Sequence, residues 1–187
     1  MPTTLQSRTI ILDRLMDTFR TAGYDGASLA ELSSTTGLGK SSLYHHFPGG
    51  KSDMAVQVLQ HLATGLERDL LAPLRAGGTP TARLDQMLQT LDQFYDHGRK
   101  PCLLERLAAS VDAPHFAPPL QQVFKRWIGA LQSLGESAGL SKRTAKARAE
   151  DLVVRVEGAL IVAAGLGEPA VFTRTLQRIR QTLLQPE

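Results

Sequence analysis

At 187 residues with 42% apolar side chains, the chain is long enough to bury a real core, and its composition excludes disorder. Its single cysteine excludes an internal disulfide and a multi-cysteine zinc site; no apolar run can span a bilayer, and the start MPTTLQSR lacks the apolar middle of a secretory signal, so a cytoplasmic protein is expected. The net charge of +3 leans weakly toward an anionic partner, but over residues 1–55 Arg8, Arg14, Arg20, Lys40 and Lys51 only balance Asp13, Asp17, Asp25, Glu31 and Asp53. Bulk charge therefore does not argue for nucleic acid; only its local arrangement can, and Ser33 to Ser52 is free of acids.

Residues 8–22 place Ile11, Leu12, Leu15, Met16, Phe19 and Ala22 at helical spacing, an amphipathic helix ending at Gly23. Tyr24-Asp25-Gly26-Ala27 is a turn. Ser28 precedes Glu31 by three residues, a capping-box pattern that starts a helix with Leu29 and Leu32 on one stripe. Thr36-Gly37-Leu38-Gly39 supplies the glycines for a sharp exit. A second short helix follows, carrying Lys40, Ser41, Ser42, Tyr44, His45 and His46 outward and Leu43 and Phe47 inward. Two short helices on a tight glycine turn form a helix-turn-helix, whose second helix enters the major groove and whose donors suit phosphates and base edges.

The rest of the chain reads as helices too. Ser52 is expected as the cap of a helix bearing Met54, Val58, Leu62 and Leu66 and running to about Leu71, without a linker before the body. Thr79-Pro80 opens a helix to His97, broken by Gly98 to Pro101. Residues 102–111 form another, ended by Asp112-Ala113-Pro114. After Pro118-Pro119, Leu120, Val123, Phe124, Trp127, Ile128, Leu131 and Leu134 mark the clearest amphipathic helix, up to Gly139. Residues 142–164 begin charged, with Lys142 to Arg148 a solvated face, and become apolar nearly all round, which needs burial on two sides. A last helix covers about 169–184. The fold class expected is all-α: a helix-turn-helix domain, residues 1–51, joined to a helical ligand-binding and dimerisation bundle, residues 52–187.

The run from Leu32 to Lys51, with Gly37, Ser42-Leu43-Tyr44 and Phe47-Pro48 followed by Lys51, resembles the DNA-binding signature of the TetR family of bacterial one-component regulators. Cys102-Leu103-Leu104 resembles a Gly-Cys-Leu-Leu run common in such proteins. Thr36 stands where a small alanine is usual, and Gly49-Gly50 lengthens the turn before Lys51 by one residue; in the form YHHFPGGK this turn resembles the LmrA/YxaF-like branch of the family.

The resemblance implies a cytoplasmic, ligand-responsive repressor that binds a palindromic operator in double-stranded DNA as a homodimer, without a cofactor. Ser42 and Tyr44 would hold phosphates, Lys40, Ser41 and His45 would reach base edges or flanking phosphates, and His46 and Lys51 would grip the backbone further along; Ser28 joins this DNA-binding set. An enclosed cavity among the helices of 81–138 would take a small, largely apolar molecule, with Phe94, Tyr95, His97, Cys102, Leu107, Phe116 and Trp127 as its walls and anchors. The helices of 118–138 and 142–164 would make the dimer interface through Val123, Ile128, Leu131, Val153, Val156, Ala159, Leu160 and Ala163, small residues such as Gly158 allowing close approach.

Two other readings stand beside this one. A DNA-binding protein of the same fold could lack a small-molecule inducer and act through protein partners. A helical enzyme has no Ser/His/Asp set, paired acids or phosphate loop to support it, and Cys102 reads as a structural thiol. The five histidines make no His-x-x-x-His pair or His/Cys cluster, so no metal site is expected.

Overall fold

The computed structural model describes residues 8–185, and every regular element among them is helical. In chain order these are α1 (Arg8–Gly26), α2 (Leu29–Thr36), α3 (Lys40–His46), α4 (Gly50–Leu66), α5 (Ala72–Leu74), α6 (Pro80–Phe94), α7 (Leu103–Ala108), α8 (Ala113–Ser137), α9 (Lys142–Leu166) and α10 (Ala170–Thr182), with a π-helical turn Glu67–Leu71 between α4 and α5. None of the described helices is long and apolar enough to cross a membrane. Two compact units divide the chain: Met1–Thr64 with Leu103–Leu120, and Gly65–Cys102 with Gln121–Glu187.

The first unit takes in more than a cut after residue 51 allows. Met54, Ala55, Val58 and Leu59 of α4 are buried together with Ile11, Leu15 and Phe19 of α1, and Leu103, Leu104 and Leu107 bury the α7 face that packs on α1. Without these residues α1, α2 and α3 have little core of their own. His61 Nε2 bonds Asp13 Oδ1 at 2.7 Å, and Arg8 donates to Gln57 and stacks its guanidinium on the Phe47 ring, 5.4 Å from its centroid. α1 breaks at Gly23, where φ is 74° and ψ 166°, as its position after the apolar stripe implies.

In the second unit α10 packs on α9 and α6, and α6 on α5 and the π-helical turn. Leu84, Met87, Leu91, Leu152, Val156, Phe172, Leu176 and Ile179 form its core. Arg83 donates to Leu74 O and to Ser137 Oγ, both at 2.9 Å, fastening α6 to α5 and α8. Arg148 donates to Leu183 O at 3.0 Å, meeting the carbonyls that α10 leaves open at its end. Thr79 and Ser141 cap α6 and α9, accepting from Ala82 N and Thr144 N, each at 3.2 Å.

Several boundaries differ from those read in the sequence. α6 stops at Phe94 instead of His97, because Asp96 and His97 adopt left-handed φ of 47° and 56° before Gly98 at 87°. Gly98 has no room for a side chain: a Cβ there would lie 2.6 Å from Phe172 Cβ. α8 starts at Ala113, so Asp112 to Pro114 opens this helix, Pro114 lying in the first turn where its missing N–H would have no partner; Pro118 and Pro119 lie inside the helix, where each lacks the N–H for an i→i−4 bond. α4 starts at Gly50, φ 68°, so Ser52 lies in its first turn and not at the cap. Asp53 Oδ2 accepts from Gly49 N at 3.3 Å in its place.

Candidate nucleic-acid interface

The interface is built from α2 and α3. Ser28 Oγ accepts from Glu31 N at 3.1 Å, the cap its spacing predicts. Gly37, at φ 70°, ends α2 in the left-handed region and returns its N–H to Ser34 O at 3.2 Å. Ser33 Oγ closes the turn by donating to Leu38 O at 2.6 Å. Thr36 is fully buried where its hydroxyl needs a partner, and it donates to Leu32 O at 2.7 Å. Arg14 Nη1 donates to Thr36 O at 3.1 Å and ties the end of α2 to α1.

α3 has two sharply different sides. Leu43 and the following Phe47 are buried, and the opposite side exposes Lys40, Ser41, Tyr44 and His45. Positions 40, 41, 44 and 45 are related by four-residue steps and therefore share one face. Ser42 and His46 are half-buried on its flanks, and the His45 and His46 rings meet edge to face at 5.7 Å. The face presents one ammonium, three hydroxyls counting Ser42, and imidazoles, with no carboxylate between residues 33 and 52. Such a set can donate to phosphate oxygens and to the acceptors of base edges.

Lys51 lies elsewhere. Its Nζ is 3.4 Å from Asp25 O and 4.6 Å above the Tyr24 ring centroid. Tyr24 is buried, and Asp112 and Ser52 are the polar side chains that act on its hydroxyl. Burial first, then the Asp112 carboxylate, pushes the Tyr24 phenol up to about 12. Val111 N donates to Asp25 Oδ2 at 3.2 Å. The roles of Tyr24, Asp25 and Asp112 were not recognised in the sequence, because contacts such as that of Val111 with Asp25, 86 positions apart, carry no periodic signal.

The residues expected around a ligand are distributed over both units. In the second unit, Tyr95 is buried, edge to face with Phe94 at 5.0 Å and Phe172 at 5.6 Å. Its hydroxyl donates to Cys102 Sγ, which donates to Glu157 Oε1, both at 3.4 Å. Trp127 is buried in the same unit with no hydrogen-bond partner for its indole Nε1. His97 is exposed, its Nδ1 2.6 Å from Asp92 Oδ2. Leu107 and Phe116 are fully buried in the first unit, where the Phe116 ring sits edge-on to Tyr24 at 5.0 Å.

Of the residues expected at a dimer interface, Val123, Leu131, Val153, Val156, Ala159, Leu160 and Ala163 are buried within a single chain, and Ile128 is half-buried. The apolar side chains that α9 leaves exposed are others: Val154, Ile161, Val162 and Leu166. Gly158 and Gly165 lie among them with open space where a Cβ would stand. Positions 154, 158, 161, 162, 165 and 166 fall on one helical face. The two-sided apolar character of α9 is thus real, but the larger, more regular set of apolar positions faces its own core. Among the described residues no group of three or more His, Cys, Asp or Glu could hold a metal ion.

Residues 11–58 match the family model for bacterial regulatory proteins of the tetR family. The chain is 24% identical over 160 residues to the HTH-type transcriptional regulator LmrA of Bacillus subtilis (strain 168), covering 83% of this chain and 85% of that protein. Its fold is similar to that of a TetR transcriptional regulator from Legionella pneumophila, with a TM-score of 0.84 at 18% identity over 97% and 99% of the two chains. It is similar also to a cysteine variant of the TetR-family regulator CifR, complexed with 26-bp double-strand operator DNA, with a TM-score of 0.77 at 20% identity over 96% and 98%. Residues 11–58 therefore resemble the DNA-binding domain of tetR-family regulatory proteins, on a chain that shares the fold of such regulators over nearly its whole length.

Proposed function

We propose that this protein is a cytoplasmic repressor that binds a palindromic operator as a homodimer and is released by a small, largely apolar ligand. The observation that carries the reading is the exposed face of α3, where Lys40, Ser41, Tyr44 and His45 stand together on a helix anchored by buried Leu43 and Phe47. Ser42 and His46 flank it and serve phosphates. One such helix reads few base pairs, so two copies are needed to specify a site. The exposed apolar stripe of α9 supports the second copy, since a contiguous surface of this kind favours burial against itself.

Trp127 supports a ligand. A buried indole N–H without an acceptor is costly, and a small molecule bearing a carbonyl or ether oxygen would relieve it. Phe94, Tyr95 and Cys102 supply apolar and polarisable surface of the same character. α4 runs into the π-helical turn without a break, so a tilt at its far end reaches Gly50. In a dimer such a tilt changes the spacing of the two α3 helices and removes their fit to successive major grooves. The test is titration of the protein against DNA from upstream of its own gene: salt-sensitive binding at an inverted repeat is expected, and absence of any preference over mixed-sequence duplex would overturn the reading.

A further inference from the structure

We propose that Lys51 is a positioning residue and not a phosphate contact: with Tyr24, Asp25 and Asp112 it forms a latch that fixes the start of α4 and the α7–α8 loop to the corner between α1 and α2. The inference rests on the reading of α3 as the DNA-reading helix. All of its members lie within the first compact unit.

The ammonium of Lys51 has two attractions that lead it away from solvent-borne anions, the Asp25 carbonyl at 3.4 Å and the π-face of Tyr24 at 4.6 Å. The longer turn makes this possible. Gly50 takes a φ of 68°, and a Cβ on Gly49 would come within 2.9 Å of Asp53 Cβ, so both glycines are needed to bring Lys51 onto Tyr24. The neighbouring Ser52 also acts on the Tyr24 hydroxyl, so two consecutive residues of α4 lie against one side chain.

The same corner holds the loop. Val111 N donates to Asp25 Oδ2 at 3.2 Å, the Phe116 ring closes edge-on against Tyr24 at 5.0 Å, and the Asp112 carboxylate acts on the Tyr24 hydroxyl. The carboxylates that act on Tyr24 are Asp25 from α1 and Asp112 from the loop. Reaching a phosphate would cost the ammonium both partners. Keeping them sets the direction in which α4 leaves the DNA-reading helices, and any shift of residues 109–113 is felt at Tyr24 and Asp25.

The test is the salt dependence of binding to a mixed-sequence DNA duplex, compared for the parent protein, Lys51→Ala, Lys51→Met, Asp112→Asn and the Lys51→Ala/Asp112→Asn double variant. A latch predicts that Lys51→Ala weakens binding by about threefold or more with the log–log salt slope unchanged, and that the double variant loses less than the product of the singles. Lys51→Met keeps the aliphatic stem on Tyr24 and should fall between. A slope reduced by about 0.9, the release expected for one lost phosphate contact, would overturn the latch, as would unchanged affinity in Lys51→Ala. Thermal unfolding of the same set needs no DNA: non-additive shifts in Tm are expected, and additive shifts would overturn the latch. Failure of the parent to bind DNA at all would instead refute the regulator reading and leave the latch to the unfolding data.

Discussion

Ile161→Arg separates a dimer built on the outer face of α9 from one built on the inner face. Ile161 is 56% exposed, Val154 68% and Leu166 63%. Full burial of such a side chain contributes about 1.5–3 kcal/mol, so at half exposure or more each still has roughly 1–1.5 kcal/mol to give on association. Two-fold symmetry counts every position twice, and Ile161 alone is then worth about 2–3 kcal/mol of dimer. Arginine removes this and sets two like charges into a desolvating surface, which adds several kcal/mol, for a rise in the dimer Kd of roughly a thousandfold or more. Sedimentation velocity over a concentration series, with far-UV circular dichroism to verify the fold, measures it. The expected result is a folded monomer. A folded Ile161→Arg protein that stays dimeric at the parent's concentration would refute the outer-face interface. Val156→Arg is the contrasting case: Val156 is fully buried in its own chain, so the substitution should unfold the second unit and yield no folded monomer.

Tyr44→Phe should weaken binding to all DNA sequences by a similar factor, about three- to tenfold, since a phosphate contact carries no sequence information, whereas His45→Ala should change the ranking of operator variants in a competition assay. Gly98→Ala should cost about 2 kcal/mol or more in thermal unfolding, because φ is 87° and the new Cβ would lie 2.6 Å from Phe172 Cβ. Thr36→Ala should cost no more than about 1.5 kcal/mol, because removing the hydroxyl removes its need for Leu32 O as well. Tyr24 predicts a pH effect: its phenol stays protonated in the folded state up to about 12 and ionises from the ordinary 10.0 when unfolded, so the stability it contributes is complete below pH 10 and is lost as pH rises toward 12. Alkaline denaturation of Tyr24→Phe should lack this component.

The helix-turn-helix was legible because its signals are local. Ser28 and Glu31 are three residues apart, Gly37 directly follows the last helical turn, and Leu43 and Phe47 are separated by one turn; each pattern has a short-range physical cause. Proline and glycine misled where their meaning depends on position. Pro114 reads as a stop and acts as a start, and Gly50 with its positive φ moves the beginning of α4 ahead of Ser52. The faces of α9 were harder still. A helix apolar on two sides does not say which side its own chain covers, and the choice of Val156 over Ile161 is made by α10, whose Leu176 and Ile179 belong to the same core. The Tyr24 corner lay beyond any sequence pattern, because Asp112 and Val111 come from a distant loop.

The most direct test of the account is fluorescence anisotropy of the gene's upstream region with the parent protein and with a variant carrying Lys40→Ala, Tyr44→Ala and His45→Ala. These three side chains are exposed and bond nothing in the core, so the variant should keep the parent's Tm and dimer state. The account predicts salt-sensitive binding of one parent dimer per inverted repeat and loss of specific binding in the variant. Equal affinity of the two proteins for the repeat would contradict the claim that the outer face of α3 reads DNA.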